Sequence, residues 1–134
     1  MDNKEVIRRY WNGKWNERRP DILDETQAPN VTYRGPGIEM SSRDEYKAMF
    51  EAFMNAFHDT ELTLEDLIAE GDRVVSRITL RAVHKGDLPG LPAKGKPVEV
   101  QFTTIFRLVD GLIVEEIDSF NQLDLMQQTG AIEA

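Results

Sequence analysis

VEVQFTTIFRLVDGLIVEEIDSF, residues 98–120, is written as a β-hairpin. Val98, Val100, Phe102, Thr104, Phe106 and Leu108 alternate along one face of a long strand. Asp110-Gly111 follows, a dipeptide suited to the left-handed backbone of a two-residue hairpin turn. Leu112 to about Phe120 then forms the return strand. Upstream, Leu62, Leu64 and Leu67-Ile68 suggest another strand, and Glu70-Gly71-Asp72 a tight turn. The run from Arg73 to His84 completes that second hairpin. In it Val74, Ile78, Leu80, Ala82 and His84 share the apolar face, with Arg77, Thr79 and Arg81 opposite. A loop rich in glycine and proline, residues 85–97, joins the hairpins into a four-strand antiparallel meander.

Helices come first in the chain. Val6, Ile7, Tyr10, Trp11 and Trp15 make one apolar stripe, with Asp2 or Asn3 as the cap. Pro20-Asp21 opens a short second helix that Pro29 ends, and Val31–Arg34 is a short strand closed by Gly35-Pro36-Gly37. Ser42 and Glu45 form a capping box for a helix over roughly 42–57, whose apolar face carries Tyr46, Met49, Phe50, Phe53 and Phe57. A short closing helix fits Leu123–Gln128. Helices followed by a meander give an α+β plan with helices covering one sheet face.

Composition narrows the chemistry. The 134 residues, 40% hydrophobic, suit one domain over 1–134. Without cysteine there is no disulfide, thiolate site or thiol nucleophile. Two histidines cannot make a three-histidine metal site. Sixteen basic against 24 acidic residues, net −8, leave no electrostatic footprint for nucleic acid or an anionic membrane. No apolar run spans a bilayer and the start lacks a signal-peptide core, so a cytoplasmic setting is expected. No metal-ligand spacing, phosphate-binding glycine loop or serine elbow is present.

Ala56–Asp59, Glu70–Val74, His84–Lys96, Asp110–Glu115 and Gln122-Leu123 with Gln127–Gly130, in this order and spacing, together resemble the SnoaL-like polyketide cyclase family of the nuclear-transport-factor-2-like superfamily. Ala56-Phe57-His58-Asp59 resembles its A-F-P-D, and Glu70-Gly71-Asp72-Arg73-Val74 its E-G-D-x-V turn. His84 to Lys96 resembles H-T-G-x-x-x-G-x-P-x-T-G-K, Asp110 to Glu115 resembles D-G-K-I-x-E, and Gln122-Leu123 with Gln127–Gly130 resembles the closing Q-L…Q-Q-L-G. The resemblance runs from about Val6 to Ile132. It implies a cone-shaped, curved antiparallel sheet wrapped around helices, a central apolar pocket, and a homodimer, often through the outer sheet face. It also implies cofactor-free chemistry next to a carbonyl, such as cyclisation or isomerisation, on a small, apolar, oxygenated molecule.

The departures bear on mechanism. In the cyclases E-x-W-x-x-x-D supplies an aspartate as general acid/base. Here the tryptophan position is Ile117 and the aspartate position Asn121, which can hold an oxygen but accepts no proton. That departure supports the alternative, a non-catalytic ligand-binding module. His84 is the site histidine, acting as base or orienter, and His58 a helix-end residue. Of Tyr33 and Arg34 only one faces the pocket; position 34 is favoured by the resemblance, 33 by polarity. Trp15, Phe50, Phe53, Phe102, Thr104, Phe106 and Ile117 are the remaining wall residues. Alternation sets Asp118 and Glu116 on the face opposite Asn121, at the surface or a dimer interface. An epoxide-hydrolase set would need Arg34 and Asp118 to converge, which these faces do not favour. The 85–97 loop is a lid or a stiff connection.

Overall fold

The computed structural model describes residues 2–132. Helix α1 (Asn3–Trp11) begins where the Asp2 side chain accepts the Glu5 backbone N–H at 2.9 Å. It runs into a π-helical turn, Asn12–Asn16, which carries the stripe on to Lys14 and Trp15. The turn is tied to the sheet at Leu62, whose N–H reaches Asn16 Oδ1 at 2.8 Å. Helix α2 (Ile22–Thr26) is short. Strand β1 (Gln27–Gly35) follows at once and turns at Gly35–Gly37 into β2 (Ile38–Met40). Pro29 therefore lies inside a strand, in the gap between Gln27 and Thr32 where the ladder to the neighbouring strand is broken; a proline costs nothing there.

Helix α3 (Arg43–Ala56) starts with the expected box: Ser42 Oγ accepts Glu45 N–H at 3.1 Å. Then come β3 (Phe57–Glu70), β4 (Arg73–His84), β5 (Pro97–Val109), β6 (Leu112–Ser119) and α4 (Gln122–Thr129). The curved, unclosed sheet has the order β2-β1-β6-β5-β4-β3. The meander is antiparallel as expected, but β1 joins β6 in parallel, so the sheet is mixed. The core lies between the helices and the inner sheet face, with Ile7, Tyr10, Leu23, Phe50, Ile78, Phe106 and Ile113 buried together.

One irregularity positions the site. Arg107 pairs with Glu115 but Leu108 pairs with Ile113, leaving Val114 as the extra residue of a β-bulge. Ile113 points inward, and after the bulge the inward phase passes to Glu116, both fully buried. Asp118, two residues on, follows Glu116 inward.

Candidate active site

The cavity under the helices is about 110 Å³ and largely apolar. Trp11, Trp15, Phe50, Phe53, Phe57, Phe102, Phe120, Leu80, Val98, Val100 and Leu125 supply most of its wall. Four polar side chains break that wall: Lys14, Tyr33, Tyr46 and Asp118.

Hydrogen bonds join them in two adjacent groups, in contact where the Tyr33 and Tyr46 rings meet edge-on at 5.2 Å. Asp118 accepts from Tyr33 Oη at 2.7 Å and from Thr104 Oγ1 at 2.6 Å, so both its oxygens are held. Lys14 Nζ donates to Tyr46 Oη at 2.5 Å and lies 3.3 Å from Tyr10 Oη. The Tyr10 and Tyr46 hydroxyls are 2.7 Å apart, and Tyr10 reaches Glu116 Oε1 at 2.5 Å. Gln27 Nε2 approaches Tyr10 Oη at 3.3 Å. The Lys14 nitrogen also sits over four rings: Tyr10 at 4.5 Å, Trp11 at 4.7 Å, Tyr46 at 5.0 Å and Phe50 at 5.3 Å.

Burial sets the electrostatics. Loss of water pushes the Lys14 amine below its usual range, with Glu116 and Asp118 pulling the other way. Glu116 is pushed up, first by burial and then by the Asp118 charge, while Lys14 and Tyr10 oppose. Its Oε2 has no hydrogen-bond partner, which adds to the cost of burying the charged form. Tyr10, Tyr33 and Tyr46 are all raised, chiefly by burial, and remain hydroxyls. A buried polar cluster in an apolar cleft is costly unless fully paired, and clusters of shifted groups of this kind concentrate at functional sites.

Trp15, Tyr33, Phe50, Phe53 and Phe102 line the cavity, and Thr104 stands behind it on Asp118. Tyr33 and not Arg34 faces in: Arg34 is exposed on the outer face, 3.3 Å from Glu39. Phe106 is buried beneath the cavity, edge-on to Tyr10 and Trp11. Ile117 is on the outer face, because the bulge at Val114 reversed the phase of β6. The same bulge brings Asp118 and Glu116 inward, correcting their expected surface position.

Asn121 lies beyond the end of β6, exposed, and its Oδ1 accepts Asp124 N–H at 2.9 Å as the cap of α4. Strand alternation does not reach it. His84 is fully buried but behind the wall: its ring stacks on Phe57 at 4.9 Å and neither ring nitrogen has a partner. The structure therefore brings neither His84 nor Asn121 to the cavity, and Arg34 and Asp118 do not converge. His58 sits exposed beside the end of α3, its Nε2 3.0 Å from the Asn55 carbonyl.

Sequence reading missed Lys14, Tyr46 and Glu116. Lys14 had a signal: it falls four residues after Tyr10 and three after Trp11, on the apolar stripe itself. Among the described residues no group of three or more His, Cys, Asp or Glu side chains is placed to hold a metal. Nor is any helix there long and apolar enough to cross a membrane.

Solved structures with this fold are numerous. A candidate SnoaL-like polyketide cyclase from Jannaschia sp. CCS1 superposes with a TM-score of 0.88 at 25% identity, over 97% of this chain and 92% of that one. TsrD from Streptomyces laurentii gives 0.87 at 28% identity, over 98% and 99%. AclR, a candidate hydroxylase from Streptomyces galilaeus, gives 0.84 at 29% identity, over 98% and 83%. No curated protein sequence matches the chain. The family model described as SnoaL-like polyketide cyclase matches residues 5–129, from α1 through α4, and the chain belongs to that family.

Proposed function

We propose that the chain, working as one domain, binds a small, apolar, oxygenated molecule and moves a proton next to its carbonyl group without a cofactor. The observation that carries this reading is the single carboxylate in the apolar wall. Asp118 is oriented by two hydroxyl donors and shares the cavity with the Lys14 amine. In this reading Asp118 takes the proton from the carbon beside the carbonyl. The Lys14 and Tyr46 side chains hold the oxygen on which negative charge develops. Asp118 then stands in for the aspartate that the family pattern puts at the position of Asn121.

Exchange of the α-hydrogens of 2-tetralone in D2O, followed by NMR, tests this without knowledge of the natural substrate. The native protein is expected to accelerate exchange over buffer, and Asp118→Asn to lose about 10²-fold or more of that acceleration. Asn at 118 still accepts a hydroxyl, so the fold survives. The non-catalytic alternative draws support from Asn121, an amide at the family's acid/base position. It predicts quenching of Trp11 and Trp15 fluorescence by tetralone with no exchange at all.

The chain also pairs with a second copy in this proposal. Ile68, Val75, Ile105 and Ile117 stand side by side across β3, β4, β5 and β6 on the outer sheet face. Ile68 and Ile105 are exposed in the single chain.

A further inference from the structure

We propose that Lys14 is a covalent nucleophile, forming a Schiff base with aldehyde or ketone ligands that enter the apolar cavity. The inference rests on reading the cavity as a carbonyl site and adds a bond that this reading does not require.

The surroundings of Nζ suit a neutral amine and its iminium product better than a resting ammonium. An ammonium carries three N–H donors. Here Nζ has one short acceptor, Tyr46 Oη at 2.5 Å, and one long one, Tyr10 Oη at 3.3 Å. Among the described residues no carboxylate oxygen lies within ion-pair distance of it. A buried ammonium with so few partners is costly, and that cost falls as the amine gives up its proton. A protonated Schiff base carries a single N–H, which the Tyr46 oxygen satisfies. Its positive charge keeps the same faces of Tyr10, Trp11, Tyr46 and Phe50, so the product cation retains the ring contacts that the free lysine has.

The proton inventory closes. The Nζ lone pair adds to the carbonyl carbon, and one N–H proton passes through the Tyr46 hydroxyl to the new alkoxide, giving a carbinolamine. Its hydroxyl leaves as water with a second proton. That proton comes from the Glu116 carboxyl along the Tyr10 and Tyr46 hydroxyls, which form a continuous line to Nζ. Amine, carbonyl and protonated Glu116 become iminium, water and Glu116 carboxylate, with no change in net charge. The apolar wall limits the water that would reverse the step. Asp118 then removes an α-proton from the iminium to give an enamine, an easier step than ionising the parent ketone.

Reductive labelling tests this on the whole protein. Benzaldehyde and cyanoborohydride are added at pH 7, and each lysine is followed by peptide mass spectrometry. Reduction traps a Schiff base as a stable benzyl amine. Lys85, Lys94 and Lys96 are exposed and serve as internal standards. Burial lowers the amine and so raises its neutral fraction, and Lys14 is expected to label severalfold ahead of those three. Its labelling rate should also level off at a lower pH than theirs. Labelling of Lys14 at or below the rate of the exposed lysines overturns the proposal, since a merely buried lysine is shielded.

Tetralone exchange by the native protein, measured beside the labelling, separates the two readings. Exchange faster than buffer, with slow Lys14 labelling, leaves proton abstraction standing and removes the covalent step. Fast Lys14 labelling in a native protein that exchanges nothing keeps the covalent step and removes the assignment of Asp118 as base.

Discussion

At the residue scale, the site holds ionisable groups at a burial cost. Glu116 shows it most directly. Its carboxyl is fully buried and pushed above the usual 4.5. The folded protein therefore keeps a proton that the unfolded chain releases above that value. The native state binds more protons, so this group's contribution to stability is complete below about 4.5 and is lost as pH rises through the folded value. Glu116→Gln keeps an acceptor for Tyr10 and cannot ionise. Urea unfolding of the variant from pH 4 to pH 9 is expected to show a shallower decline than the native protein. Parallel curves would mean that Glu116 titrates normally.

Legibility was uneven at this scale. Phe50, Phe53 and Phe102 could be placed from periodicity because each sits within one regular element, whereas the sequence leaves Tyr33 and Arg34 open between two faces. Asp118 and Ile117 could not, because their phase was counted from Asn121 across the end of a strand. A bulge at Val114 also breaks any count carried forward from Ile113, and a bulge has no strong signature in Leu112–Ser119. His84 carried a true motif and a correctly read inward phase, yet Phe57 stands between it and the cavity. Alternation tells which face a side chain takes, not what lies in front of it.

At the element scale, the π-helical turn after α1 is the device that brings Lys14 over its rings. A π-turn inserts a residue into the helical count and often marks a functional site. Gly13 within it faces Ile22 of α2 so closely that an added Cβ would lie 2.6 Å from Ile22 Cγ1 and 3.0 Å from its Cβ. Ile22 is itself buried in the core, so its side chain has packed neighbours on its far side. Gly13→Ala is therefore expected to cost about 1–3 kcal/mol, read from the shift in urea midpoint at constant slope. A midpoint within error of the native one would show that the turn relaxes freely. The helices and hairpins themselves were legible because caps and turns are local: Ser42 with Glu45, and Asp110-Gly111, each act within a few residues. The π-turn and the start of β1 at Gln27 follow from tertiary packing, which no local pattern records.

At the scale of the whole molecule, the proposed pairing uses the outer sheet face. The row Ile68, Val75, Ile105, Ile117 crosses four strands and is flanked by Arg73, Arg77, Arg107 and Glu115, a mixed rim suited to a second copy. Ile105→Glu puts a charge in the middle of that row. Light scattering at micromolar concentration is expected to show a dimer for the native chain and a monomer of unchanged circular dichroism for the variant. A native monomer removes the pairing.

The parallel join of β1 to β6 has a consequence for how the protein comes into being. The Tyr33–Asp118 bond closes a span of 85 residues, and Tyr10–Glu116 one of 106. Contacts this distant form late, because the chain entropy of closing them is lost before any packing offsets it. On the ribosome, Lys14 emerges long before its aromatic and carboxyl neighbours are complete, and it waits as an ordinary hydrated cation. Its special chemistry switches on only when the last strand docks, so a truncated or half-folded chain carries the nucleophile in an unreactive form.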